Sequence, residues 1–124
     1  MSPLAFPPAD LAVLEGAYEI EIETRAAPDG PLHSTIIWVV SDGPDVFIRS
    51  VNGATARWYR EARGNLIEVK AGDRRLPARA VPAVDADSIA RTSAGFTRKY
   101  AAYSDMPSMI EDDILDTTLR LEPV

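Results

Sequence analysis

The stretch Val46-Phe-Ile-Arg-Ser-Val-Asn-Gly-Ala-Thr-Ala-Arg-Trp-Tyr-Arg60 holds the densest set of groups able to do chemistry. Arg49 and Ser50 close an apolar strand, a glycine loop follows, and Arg57 and Trp58 enter a predicted helix. An arginine fork, a hydroxyl and the free N–H groups of a helix start together suit a phosphate. Trp58 offers a flat face to a ring, or packs as core. Arg49 stands within a hydrophobic strand, and an arginine there needs an anionic partner, either a carboxylate or a ligand. His33, the only histidine, begins another apolar strand. It is a candidate proton donor beside a bound ligand, and its plainer reading is a surface histidine at a loop end. Lys99 sits where it reaches a phosphate or stays solvated, next to Tyr100 on an apolar stripe.

Other chemistries fare worse. Ser34 beside His33 is the one nucleophile–base pairing, and adjacent strand residues point to opposite faces. Glu111, Asp112, Asp113 and Asp116 lack the glycine and the oxygen-ligand spacing of a calcium loop, so no metal is expected. Without cysteine there is no disulfide, thiolate zinc site, iron–sulfur cluster or thiol nucleophile. Neither a glycine-rich dinucleotide loop after a first strand nor a Walker-type lysine loop occurs.

The 124 residues suffice for a single domain, 1–124. Hydrophobic residues make up 46% and charged residues 26%, too apolar for disorder. The net charge of −6 disfavours nucleic acid, although Arg49 to Arg79 carries eight basic against three acidic residues. That local excess suits a small anion, or is a set of solvated arginines. The longest apolar run, Ile36–Val40, is too short for a membrane, and the start lacks a leader's charged and apolar regions. A cytoplasmic protein is the expectation.

The elements that must position these groups read as follows. Residues 1–9, with Pro3, Pro7 and Pro8, form an extended lead-in, and Asp10 caps a short helix stopped by Gly16. Tyr18 to Thr24 alternates as a half-buried strand with Glu19, Glu21 and Glu23 outward. Ser34 to Ser41 reads as one continuous strand buried on both faces, paired through Asp42-Gly-Pro-Asp45 with Val46 to Ser50. Thr55 caps a helix over 56–63 that ends at Gly64. Leu66–Lys70 and Arg75–Val81 pair across Gly72-Asp73, with Pro77 demoting the second to an edge or bulge. Asp85 or Asp87 opens the longest helix, on a stripe of Ile89, Ser93, Phe96, Tyr100 and Tyr103. Residues 115–121 alternate as a closing strand. The fold class is therefore mainly β with α: a six-stranded antiparallel barrel with two or three short helices.

From His33 to Val84 the chain resembles bacterial proteins of unknown function related to the FMN-binding split barrel. That superfamily includes pyridoxamine 5′-phosphate oxidases and deazaflavin-dependent nitroreductases. The residues carrying the resemblance are Ser34-Thr-Ile-Ile-Trp38, Val46-Phe-Ile-Arg-Ser50, and Gly53 with Arg57-Trp58-Tyr59, followed by Leu66–Val69. Arg98-Lys99-Tyr100 and Thr117–Pro123 extend it. Two departures stand out: Trp58-Tyr-Arg-Glu-Ala62 replaces the Trp-Tyr-x-Asn-Leu of deazaflavin members, and the oxidases' Arg-x-x-Leu-Lys strand is missing.

The resemblance implies a split-barrel homodimer with FMN, or a related flavin or deazaflavin, in clefts between subunits. It also implies a place for Arg57 near the flavin phosphate; other superfamily members bind heme or nothing. The function expected is a dimeric protein binding a flavin-like or other phosphate-bearing cofactor, as an oxidoreductase. The phosphate would fall to Arg49, Ser50 and Arg57, the ring to Trp58, with His33 and Lys99 alongside. The alternative is a non-enzymatic module of the same fold that binds a small anion or a protein. A third reading is a hydrophobic-ligand carrier with Trp38, Phe47 and Phe96 around a cavity.

Overall fold

The computed structural model describes residues 5–124, so the start of the predicted lead-in lies outside the described residues. Helix α1 (Pro8–Gly16) precedes strands β1 (Ile20–Thr24), β2 (His33–Ile37), β3 (Val40–Asp42) and β4 (Asp45–Ile48). Then come α2 (Arg57–Ala62), the hairpin β5 (Leu66–Ala71) and β6 (Arg74–Pro82), α3 (Ala86–Lys99) and β7 (Leu119–Pro123). Short 3-10 turns occupy Gly53–Thr55, Met106–Ile110 and Asp112–Thr117.

All seven strands join one sheet in the order β2-β1-β5-β6-β7-β4-β3, every pair antiparallel. Laid flat at about 4.8 Å per strand, its edges would stand roughly 29 Å apart. Yet the edge strands β2 and β3 are joined by Trp38 and Val39 alone, a link that reaches about 10 Å at most. The sheet must therefore roll until its edges nearly meet, and the result is a curled antiparallel barrel.

That closure explains the seventh strand. The apolar run over 36–40 is not one strand but two halves with different partners: Ile37 pairs with Ile20 on β1, and Val40 with Phe47 on β4. At the corner between them the Tyr100 hydroxyl replaces the ladder. It accepts from the Val39 N–H at 3.2 Å and lies 2.7 Å from the Tyr18 carbonyl, to which it donates, while its ring stacks on Trp38 at 3.9 Å.

Other expectations need correction. Pro8 starts α1, because the first helical position has no use for an N–H. Neither Asp10 nor Thr55 caps: the N-cap positions are Pro7 and Ala56. Pro77 lies in β6, a central strand, and is tolerated because β7 begins pairing only at Ala78, leaving that side of Pro77 open. Residues 115–117 close a 3-10 turn, and the final strand starts at Leu119. Asp85 does open α3, accepting from the Ser88 N–H at 3.0 Å.

One core fills the barrel with Ile20, Ile22, Val46, Ile48, Val69 and Leu119. A second lies between the outer face of β3–β4 and α3, where Phe47 and Phe96 are completely buried. These two rings are packed core and not the lining of a carrier cavity. At Gly95 the helix crosses so close to the sheet that an added Cβ would stand 3.0 Å from Val40 Cβ. Arg91 clamps the same helix to the β3–β4 turn through Asp42 and Asp45.

Candidate functional site

A cavity of about 470 Å³ opens at one end of the barrel, a size suited to a small organic ligand. Thr35, Ile37 and Trp38 of β2 and its corner form one wall, and Trp58 of α2 another. Arg49, just past β4, and Asn52 in the following loop form the floor, while Ser108 and Met109 close the side beneath α3. Aromatic and aliphatic surface dominates, with the carboxylates of Glu19 and Asp105 and a few hydroxyl and amide groups able to orient what enters. Tyr18, Trp38, Tyr100 and Tyr103 form a connected aromatic cluster on the Trp38 side.

Arg49 is 2% exposed. Its Nε donates to Thr118 Oγ1 at 2.9 Å, and Nη1 to Ser93 Oγ at 2.9 Å and the Met109 carbonyl at 3.0 Å. Nη2 donates to the Ile89 carbonyl at 3.2 Å, leaving its second hydrogen without a protein acceptor among the described residues. All four acceptors are neutral, and among the described residues Arg49 makes no salt bridge. Burial lowers the guanidinium to about 10, so it remains a cation at neutral pH. The site thus holds a buried positive charge that makes no ion pair among the described residues, while the carboxylates of Glu19 and Asp105 also line the cavity.

The other sequence candidates divide. Trp58 lines the cavity, 8% exposed, edge-on to Tyr59. Arg57 begins α2 beside it and is exposed, outside the cavity wall. Ser50 is fully buried, its hydroxyl donating to the Gly53 carbonyl at 2.8 Å, where it fixes the loop that carries Asn52. Lys99 ties the end of α1 to the barrel corner, donating to the Val39 carbonyl at 2.8 Å and that of Leu14 at 3.2 Å. Burial pushes its ammonium down to about 8, against the pull of Glu15.

His33 is not a free surface ring. Its Nδ1 lies 3.0 and 3.1 Å from the two oxygens of Glu61, a carboxylate only 7% exposed that also accepts from Thr24 Oγ1 at 2.8 Å. Burial favours the neutral acid, but the hydrogen bonds from His33 and Thr24 and the charge of Arg57 outweigh it and hold Glu61 below the usual carboxylate range. Sequence reasoning missed Glu61. The available signal was its position on α2, between the buried Trp58 and Ala62, on a face where an acid needs a partner. Among the described residues no group of three or more His, Asp or Glu side chains is gathered as a metal requires, and no helix is long and apolar enough to cross a membrane.

The chain belongs to DUF2255, a family described as uncharacterized protein conserved in bacteria, which it matches over residues 10–121. None of the curated proteins compared with it matches. Among solved structures it is similar to the FAD binding protein from Mycobacterium smegmatis, at 15% identity and a TM-score of 0.64, covering 97% of this chain and 91% of that one. A putative pyridoxamine 5′-phosphate oxidase from Listeria innocua matches at 18% identity and a TM-score of 0.63, over 93% and 90% of the two chains. The heme storage protein HutZ from Vibrio cholerae matches at 13% identity and a TM-score of 0.62, over 98% and 85%. The fold is thus the split barrel that the sequence resembles, with seven strands in place of six.

Proposed function

We propose that this protein binds a flavin-type cofactor in the cavity beside Arg49 and works as a homodimeric oxidoreductase. The observation that carries the reading is the Arg49 guanidinium, buried in the cavity lining with only neutral hydrogen-bond acceptors and no salt bridge among the described residues. Burying an unpaired charge is costly, and an anionic ligand group beside it removes the cost. The neighbours of the same fold, described as an FAD binding protein and a putative pyridoxamine 5′-phosphate oxidase, support the choice of ligand class.

The residues fit such a group. Trp58 and Trp38 offer faces for a ring system, Thr35, Asn52 and Ser108 offer hydrogen bonds to its polar edge, and Arg49 takes a negative group. Arg57, exposed at the adjoining end of α2, is placed for a phosphate that leaves the cavity mouth. When bound, a flavin-type cofactor supplies the hydride chemistry, and the protein supplies orientation and electrostatics. Tyr18, Ile36 and Val51 border the cavity and are 48%, 62% and 47% exposed. A second copy of the chain would cover them and complete the wall, which is the support for the dimer.

The test is titration of the purified protein with FMN, FAD, a deazaflavin and heme, followed by absorbance and by tryptophan fluorescence. Both tryptophans line the cavity, so a bound ring quenches them. Saturable quenching, weakened in Arg49→Met and in Arg57→Gln, is the expected result. Failure of all four ligands to bind refutes the cofactor reading and leaves a binding module without a redox group.

A further inference from the structure

We propose that His33 is the proton-transfer group of this cavity, with Glu61 and Thr24 as the positioning residues that dedicate it to that task. The inference rests on the cofactor reading above and adds to it the group that completes the reaction.

Placement comes first. His33, Thr35 and Ile37 alternate onto one face of β2, and Thr35 and Ile37 line the cavity. Residues two apart on a strand are about 6.7 Å apart, so His33 stands one step beyond Thr35 on that face. On α2, Glu61 lies one turn beyond Trp58, another lining residue. His33 and Glu61 do not themselves line the cavity; each stands one step beyond a residue that does, and the imidazole is 29% exposed, open to exchange with water.

The chemistry follows from which nitrogen is free. An ionised carboxylate can only accept, and Glu61 already accepts from Thr24 and faces His33 Nδ1 with both oxygens. Nδ1 must then carry a hydrogen whether the ring is neutral or charged. Proton exchange is confined to Nε2, which has no hydrogen-bond partner among the described residues. The charged groups around the ring are Glu61 itself and Arg57 on α2, with the neutral Thr24 hydroxyl on β1.

A hydride delivered by a reduced flavin-type cofactor to an unsaturated carbon of a substrate leaves an electron pair on the neighbouring atom. A proton must close that step. The imidazolium gives its Nε2 proton to that atom and becomes neutral imidazole, Nδ1–H stays on Glu61, and water reprotonates Nε2 for the next turnover. The substrate class is thus an activated double bond whose reduction takes up one hydride and one proton.

A single histidine makes the test direct, because long-range ¹H–¹⁵N correlation spectra of the full chain contain one imidazole. The neutral ring is expected as the Nδ1–H tautomer in the wild type and as a tautomer mixture in Glu61→Gln, which keeps the side-chain shape. Titration with FMN is expected to shift the Nε2 and Hε1 resonances of His33 in step with tryptophan quenching. An Nε2–H tautomer in the wild type overturns the proposal. So does FMN that quenches the tryptophans while the His33 resonances stay still, and that outcome leaves the cofactor reading standing. Absence of quenching by FMN, FAD, a deazaflavin and heme alike removes the cofactor reading, and the proton-transfer role with it.

Discussion

Replacing Arg49 with methionine separates a residue kept for a ligand from one kept for the fold. The depression of the guanidinium to about 10 amounts to about 3 kcal/mol against the charged form in the native state. The sign is definite. A base whose native value lies below its unfolded value weakens the fold at neutral pH, and that cost fades only as pH climbs above 10. Against it stand four hydrogen bonds to neutral acceptors, together worth about 4 kcal/mol at roughly 1 kcal/mol each. In the free protein the guanidinium therefore contributes almost nothing net. Methionine, apolar and of similar reach, should change stability by no more than about 2 kcal/mol, even with the Met109 carbonyl left without its donor. Ligand binding should respond far more strongly, because a hydrogen bond from a charged donor is worth about 1.5–3 kcal/mol, or roughly 10- to 150-fold in affinity. Urea denaturation with and without FMN reads both effects. At a hundred times its dissociation constant FMN should add about 2.7 kcal/mol to the wild type and, at the same concentration, only about 0.3–1.4 kcal/mol to Arg49→Met. Equal stabilisation of the two proteins refutes contact with Arg49. A loss above about 4 kcal/mol in the variant, with no effect of FMN on the wild type, makes Arg49 a structural pin.

Three further outcomes can be checked on the same protein. Gly95→Ala gains about 1 kcal/mol of helix propensity but sets a methyl 3.0 Å from Val40 Cβ, so overpacking wins and calorimetry should show a net loss of about 1–2 kcal/mol. Lys99, with a native value of about 8, sheds its proton before the unfolded chain does. Stability should therefore rise between pH 8 and 10, by about 1 kcal/mol once partial exposure is allowed for, and urea midpoints of Lys99→Met should lack that rise. Ile36→Glu places a charge on the exposed outer face of β2. Light scattering should show it as a monomer where the wild type is a dimer, with weaker FMN binding and an unchanged melting temperature at low concentration.

Much of the barrel was legible because its strands obey simple alternation. Ile20, Ile22 and Thr24 point inward and the glutamates between them outward, and the β5–β6 hairpin turns at Gly72, with φ +60. What misled was the continuous apolar run at Ile36–Val40. A run buried on both faces and a strand that switches partners at a corner have the same composition. The tyrosine that makes the corner lies far along the chain, just past the end of α3. Pro77 misled for a related reason: a proline excludes a partner at one position only, and the neighbouring strand simply starts one residue later.

The site was legible only where a residue's own type demanded a partner. Arg49 beside an apolar strand announced a buried charge, and its partners in the chain are four neutral hydrogen-bond acceptors and no carboxylate among the described residues. Adjacency along the chain was a poorer guide. Ser50 follows Arg49 just past β4, yet its hydroxyl bonds the Gly53 carbonyl of the loop. Glu61, dispersed in sequence from His33 and Thr24, meets both because β1 and β2 pair Thr24 with His33 and α2 lays its acid across that pair. An acid on the buried face of a short helix and a lone histidine at a strand start each looked like an exception to burial rules. Joined, each removes the other's anomaly. The cavity lining thus holds a buried cation at Arg49, and one step beyond Thr35 on β2 stands the imidazole of His33, oriented by Glu61.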